Sequence, residues 1–242
     1  MWPREHGAYA QLGAPLLTAL AVAAPTTPAI ALAIAACLAF LANEPLMIVL
    51  GHRGPRMHAA SGPAARLRLG ITAGGAAISA GVGLALAPPH ALALAAFVAI
   101  PVLATIGLAW TKSVHSVAGE LVAAAALPGA AAPVAAASGV PWQTAALLWL
   151  AWSLGYAASV VAVHEILRRQ RRVAPRLLLA IAAAAVAVSA VWVRALWVAV
   201  PLVGLSAGLG VRPPSARRVR TIGVALVIAS TASVAIAVVL AS

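Results

Sequence analysis

Residues 90–110 read HALALAAFVAIPVLATIGLAW, with no Asp, Glu, Lys or Arg anywhere in the run. About 20 apolar residues make a helix long enough to cross the hydrocarbon of a bilayer. The run is continuous and Ala-rich rather than alternating and β-branched, so it reads as a helical span and not as a barrel strand. Working outward, runs of the same character occupy 8–24, 28–50, 67–87, 117–138, 142–167, 177–193, 196–210 and 221–241. Pro25 and Pro28, Pro88 and Pro89, Pro141, and Pro213 with Pro214 fall between them, where a helix cannot continue without losing a hydrogen bond. The sequence therefore predicts an all-α polytopic transmembrane bundle of about nine spans. It forms a single integral membrane domain over 1–242.

Composition excludes the other classes. Of 242 residues, 64% are apolar and 8% charged, against about 45–50% and about 25% in an ordinary soluble domain. Too few polar side chains exist to cover a soluble fold of this size. Disorder needs low hydrophobicity and is excluded by the same numbers. Ala21-Val22-Ala23 resembles a signal-peptide cleavage site, but Glu5, His6 and Gln11 interrupt the expected pattern, and the first run reads as an uncleaved span.

The charges set an orientation. There are 16 Lys+Arg against 4 Asp+Glu, a net charge of +12. In a soluble protein that excess would suggest nucleic acid. Here it is topogenic, because basic loops stay in the cytoplasm, and no nucleic-acid partner is expected. With nine spans, 15 of the 16 basic residues fall on one side and Arg194 alone on the other. The N-terminus is expected to be cytoplasmic and the C-terminus external. The same excess should attract a bilayer with anionic headgroups. The single Cys37 excludes a disulfide framework and a thiol metal site.

The ionisable residues gather at the same boundary. All four Glu (Glu5, Glu44, Glu120, Glu165) and five of the six His lie at or near it, and only His90 lies outside. Glu44, beside Asn43, and Glu120 are the deepest by sequence. A carboxylate within hydrocarbon costs about 2.5–3.5 kcal/mol on insertion scales and marks a functional site by default. The expectation is a polar pocket facing the cytoplasm, with Glu44 and Glu120 as its chemical groups. Glu5, His6, Asn43, Arg53, Arg56, Lys112, His115, His164, Glu165 and Arg168 would line it and bind substrate. The plainer reading is that each Glu pairs with a nearby cation, as Glu165 would with Arg168 or Arg169 one turn on. No metal-ligand spacing such as HExxH occurs, so metal and cofactor stay unassigned. Lacking Asp and any Gly-x-Ser-x-Gly, the chain also has no recognisable nucleophilic triad. The dense Arg runs at 168–172 and 217–220 serve topology, and an Arg clamp for phosphate is the sharper alternative.

Two resemblances carry these readings further. Pro3-Arg4-Glu5-His6-Gly7-Ala8-Tyr9-Ala10, with Pro15 after it, resembles the Pro-x-x-His-Gly-Ala-Trp opening of the YwiC-like membrane proteins, with Tyr9 where Trp is usual. That family implies a bacterial inner (plasma) membrane location and no settled activity. More distantly, nine spans with polar cytoplasmic loops after the second and sixth resemble the UbiA-type intramembrane prenyltransferases. Asn43-Glu44 with His52, Arg53 and Arg56 stands at the first motif position, and His164-Glu165 with Arg168 and Arg169 at the second. Trp110-Thr111-Lys112 followed by Gly119-Glu120 is similar to the stretch leading into their fifth span. The resemblance implies a transferase scaffold and a lipid-like or phosphorylated substrate. The absence of any Asp removes the carboxylate clusters that hold magnesium in that superfamily. A small-ion or small-molecule transporter and a non-catalytic lipid- or partner-binding module are the competing readings.

Overall fold

The computed structural model describes residues 6–113, 116–167, 173–211 and 219–241. The helices are α1 (His6–Ala21), α2 (Thr27–Val49), α3 (Pro55–Leu86), α4 (Pro89–Trp110), α5 (Val117–Gly129), α6 (Ala131–Ala137), α7 (Trp142–Leu167), α8 (Val173–Trp192), α9 (Val200–Val211) and α10 (Val219–Ala241), with a 3-10 turn at Arg194–Ala199 before α9. No strand occurs among the described residues. Seven segments are long and apolar enough to cross a bilayer. These are Thr27–Val49, Pro55–Leu86, Pro89–Trp110, Val117–Ala137, Trp142–Ile166, Arg194–Val211 and Arg220–Ala241. With α1, 16 residues long, and α8, they account for every apolar run expected from the sequence. The chain is a multi-pass helical membrane protein.

Local chemistry explains the helix ends. Pro residues open α2, α3 and α4 in the first turn, where a missing N–H costs nothing. Thr26 caps α2 by accepting from Ala29 N at 3.4 Å, and its hydroxyl donates to Ala137 O, at the end of α6, at 2.7 Å. Three helices close with the residue after the cap in the left-handed region: Gly51 after α2, Lys112 after α4 and Gly139 after α6. In each, the next amide bonds a carbonyl five residues back: His52 to Met47, Ser113 to Leu108 and Val140 to Ala135.

Two boundaries differ from the sequence expectation. Helix α3 begins at Pro55 rather than near 67, so Arg56, Arg66 and Arg68 lie on a helix and not in a loop. Pro55 starts it, and nothing between 56 and 66 stops it, since Pro63 sits within the helix. The span expected at 117–138 is interrupted at Ala130 between α5 and α6. Pro128 and Pro133 lack N–H, which deprives the carbonyls four residues earlier of their donors. Trp149 Nε1 of α7 donates to the Ala125 carbonyl at 2.8 Å beside this break.

Packing rests on small residues. One core gathers around α7, with Trp152, Tyr156, Val198, Leu202 and Val203 interleaved with Ala. A second joins α1, α2, α4 and α6, and every residue of Ala131–Ala137 is buried in it. Tyr156 ties α7 to two other helices: its hydroxyl donates to Ala10 O of α1 at 2.8 Å and lies 3.3 Å from Ser230 Oγ of α10. Helices α2 and α3 form an antiparallel pair whose closest approach is at Gly83. A Cβ there would stand 2.7 Å from Leu32 Cγ and 3.1 Å from the Leu32 backbone nitrogen. Because backbone is involved, the helices must part to admit a methyl group. Gly83→Ala should therefore cost about 1–3 kcal/mol, read as a lower midpoint of unfolding in detergent, whereas Gly74→Ala, with nothing within 4 Å, should hold or raise the midpoint, since Ala is the better helix former.

Candidate functional site at the basic end of the bundle

Asn43 and Glu44 share the last two turns of α2, yet successive helical residues point about 100° apart. Asn43 is exposed on the outside of the pair, and Glu44 turns inward and is buried. The Glu44 carboxylate is engaged on both oxygens by Arg53, whose Nε lies 3.1 Å from Oε1 and whose terminal nitrogen lies 2.5 Å from Oε2. This fork is the strongest geometry available to a carboxylate and a guanidinium. The Arg53 side chain stays 34% exposed, so it carries the charge from the buried carboxylate out to the boundary. One turn further on, His58 Nδ1 contacts the Ile48 carbonyl at 2.9 Å, inside the last turn of α2. The pair and the imidazole together lock the α2–α3 turn.

A different pair joins α5 to α7. Ser116 caps α5, accepting from Gly119 N at 3.0 Å, and Glu120 stands in the first turn, where the helix dipole favours a carboxylate. Glu120 Oε2 lies 3.3 Å from His164 Nδ1 near the end of α7. That is ion-pair distance, but no aligned hydrogen bond is made to Nδ1. The Glu120 side chain is 37% exposed and the His164 side chain 16%. The neighbouring Glu165 has its Oε2 buried without a hydrogen-bond partner. The plainer sequence expectation paired it with Arg168 or Arg169, which lie outside the described residues.

The other expected lining residues divide as follows. Lys112 is exposed and holds the left-handed cap of α4, with φ +59°. Arg56 is exposed on the first turn of α3. His6 begins α1, while Glu5, His115 and Arg168 lie outside the described residues. Tyr9, which occupies the Trp position of the opening motif, packs edge-on against Phe40 of α2 with centroids 4.9 Å apart. The structure thus unites Glu120 with His164 and Glu44 with Arg53, and turns Asn43 away. The Glu44–Arg53 fork is the plainer expectation, a Glu paired with a nearby cation, with a partner the sequence also signals: nine residues joined by a tight Gly51-His52-Arg53-Gly54 turn bring the two back together. Among the described residues no three His, Cys, Asp or Glu side chains gather as a metal site. An apolar cleft of about 310 Å³, lined by Trp197, Ala235, Ile236, Val239 and Leu240, lies at the far end of α10 from Arg220 and takes no part in this chemistry.

A family model described as YwiC-like protein matches residues 2–136, more than half of the chain. No curated protein and no solved structure matches.

Two outcomes follow from the local physics. Arg53→Leu alone, which leaves the buried Glu44 carboxylate without its partner, should destabilise more than the Arg53→Leu, Glu44→Leu double substitution, because a lone buried charge costs more than a missing pair, whereas Glu44→Leu alone leaves only the partly exposed guanidinium and should cost less; a double-mutant cycle on unfolding midpoints measures this. Lys112→Gly should stabilise the chain by about 1 kcal/mol, since a left-handed residue with a Cβ is strained, and the same unfolding curves report it.

Proposed function

This chain belongs to the YwiC-like family, and from that premise we propose that it works as an intramembrane transferase-type protein on a lipid-like substrate with a phosphorylated head, bound at the cytoplasmic boundary. The observation that carries the reading is the Glu120–His164 contact. It joins two spans, stays partly open to the outside, and unites two groups able to exchange a proton. Glu44 lacks that freedom, because Arg53 occupies both of its oxygens. In this reading Glu120 and His164 act as the acid–base pair, and Glu44 holds the scaffold. Lys112 and Arg56, exposed at the same end, attract the anionic head, a task suited to flexible cations beside an anionic leaflet. The hydrophobic tail lies among the spans. In this reading the polar loops would serve as the motif loops of a UbiA-like scaffold without its Asp clusters, in the bacterial inner membrane.

A second reading is favoured by one feature. The span that carries Glu120 contains Pro128 and Pro133 either side of Ala130, which keeps helical dihedrals of φ −56° and ψ −26°, inside the buried core, and proline-punctuated spans recur at the binding sites of transporters. Proton or small-ion movement past Glu120 and His164 is the corresponding activity.

Binding of farnesyl diphosphate to the full chain in nanodiscs, measured by calorimetry, separates the two. The transferase reading expects saturable binding that Lys112→Ala with Arg56→Ala weakens at least tenfold, with Glu120→Gln abolishing turnover more than binding. Absence of binding, together with proton flux in proteoliposomes that Glu120→Gln removes, overturns it in favour of transport.

A further inference from the structure

We propose that a single water molecule is held inside the bundle between Trp152 Nε1 of α7 and Ser233 Oγ of α10. Both residues are fully buried, at 0% exposure, and neither polar atom has a hydrogen-bond partner. Their relative position follows from the neighbouring contact. Tyr156 stacks on Trp152, with centroids 5.6 Å apart and planes 18° from parallel, and its hydroxyl lies 3.3 Å from Ser230 Oγ. As the sixth and ninth runs of the chain, α7 and α10 cross in opposite directions. From the Tyr156–Ser230 contact, four residues back along α7 reach Trp152 and three residues on along α10 reach Ser233. Both steps keep the same helix face and move toward the same side of the membrane. The two unpaired groups therefore stand at one level of the same core.

Ser233 also departs from the habit of its neighbours. Thr18, Thr72, Thr105, Ser159, Ser206, Ser230 and Thr231 each donate to the carbonyl four residues earlier. A hydroxyl that does so needs nothing else, and Ser233 does not. The indole N–H is a donor only, whereas the serine hydroxyl both donates and accepts. A water accepts from the indole and exchanges a bond with the hydroxyl, which meets the two to four partners a buried water requires. The site lies in the interior, away from the Glu120–His164 boundary, and is independent of the function proposed there.

A crystal structure of the full chain grown from lipid, at a resolution that shows ordered water, tests this directly. The expected result is one solvent peak within hydrogen-bond distance of both Trp152 Nε1 and Ser233 Oγ. A direct bond between the two side chains, or Ser233 bonded to the Ala229 carbonyl with no solvent peak, overturns the proposal. Thermal unfolding gives a second measure. Ser233→Ala should lower the midpoint by ~2–4 °C, because it strands the indole and its water, and Trp152→Phe should make the further effect of Ser233→Ala vanish. A Ser233→Ala midpoint equal to or above that of the unsubstituted chain overturns it as well.

Discussion

Helix backbones approach one another closely in this bundle because Ala and Gly stand at the contacts. Lipid tails are as apolar as the side chains they would surround, so apolarity alone gives spans no reason to associate, and packing must supply it. The packing is visible at the glycines. A Cβ on Gly155 would meet Leu202 of α9 at 2.9 Å, and one on Gly129 would meet Val98 and Trp149 at 3.0 and 3.1 Å. Helix α7 gathers these contacts with α5, α9 and the 3-10 turn around the fully buried Trp152. That makes α7 the post for α5, α9 and the 3-10 turn, while α2 and α3 pack chiefly on each other. Helix α7 also delivers His164 to Glu120, since the closeness of α5 and α7 at Trp149 and Ala125 fixes the separation of their other ends.

Most of the architecture was legible in the sequence because the bilayer imposes a length. Each apolar run reappears as a helical segment, and Pro28, Pro88, Pro89 and Pro141 sit where helices start. What escaped was what length does not govern. Twelve residues of α3 precede its apolar part, and apolarity does not mark them, because their helicity needs no membrane. The break at Ala130 was hidden because α5 and α6 are equally apolar, and only the two prolines mark it. Long-range ties such as Tyr156 to Ala10 depend on which helices neighbour one another, and no local pattern encodes that.

The site was legible by residue type and not by partner. Clustering of the carboxylates at one boundary identified Glu44 and Glu120 as unusual. It did not distinguish a carboxylate that is neutralised by a fork from one that stays partly open. The difference lies in chain geometry. Glu44 is followed by a turn tight enough to fold Arg53 back on it, whereas Glu120 is preceded by its own cap and faces another span. Adjacent residues were also grouped by sequence, and the 100° step of the helix separates Asn43 from Glu44 at once.

The distribution of polar groups along the membrane normal ties these points together. Among the described residues charge is concentrated at the basic end, where water and headgroups reach it, with Arg194 the exception at the opposite end. The interior carries hydroxyls, an indole and Ala carbonyls, which lose far less on leaving water than an ion does. Hydroxyls in the interior mostly satisfy themselves on their own helix, so they add polarity without demanding a partner. The Tyr156 hydroxyl donates across helices to Ala10 O, and the close approaches of Ser159 to Ser206 and of Tyr156 to Ser230 mark which faces meet. Small residues permit close approach in several registers, and these few hydrogen bonds select one. A bundle made of Ala and Gly therefore needs its interior hydroxyls for specificity, while its ionised groups at the boundary remain available for chemistry.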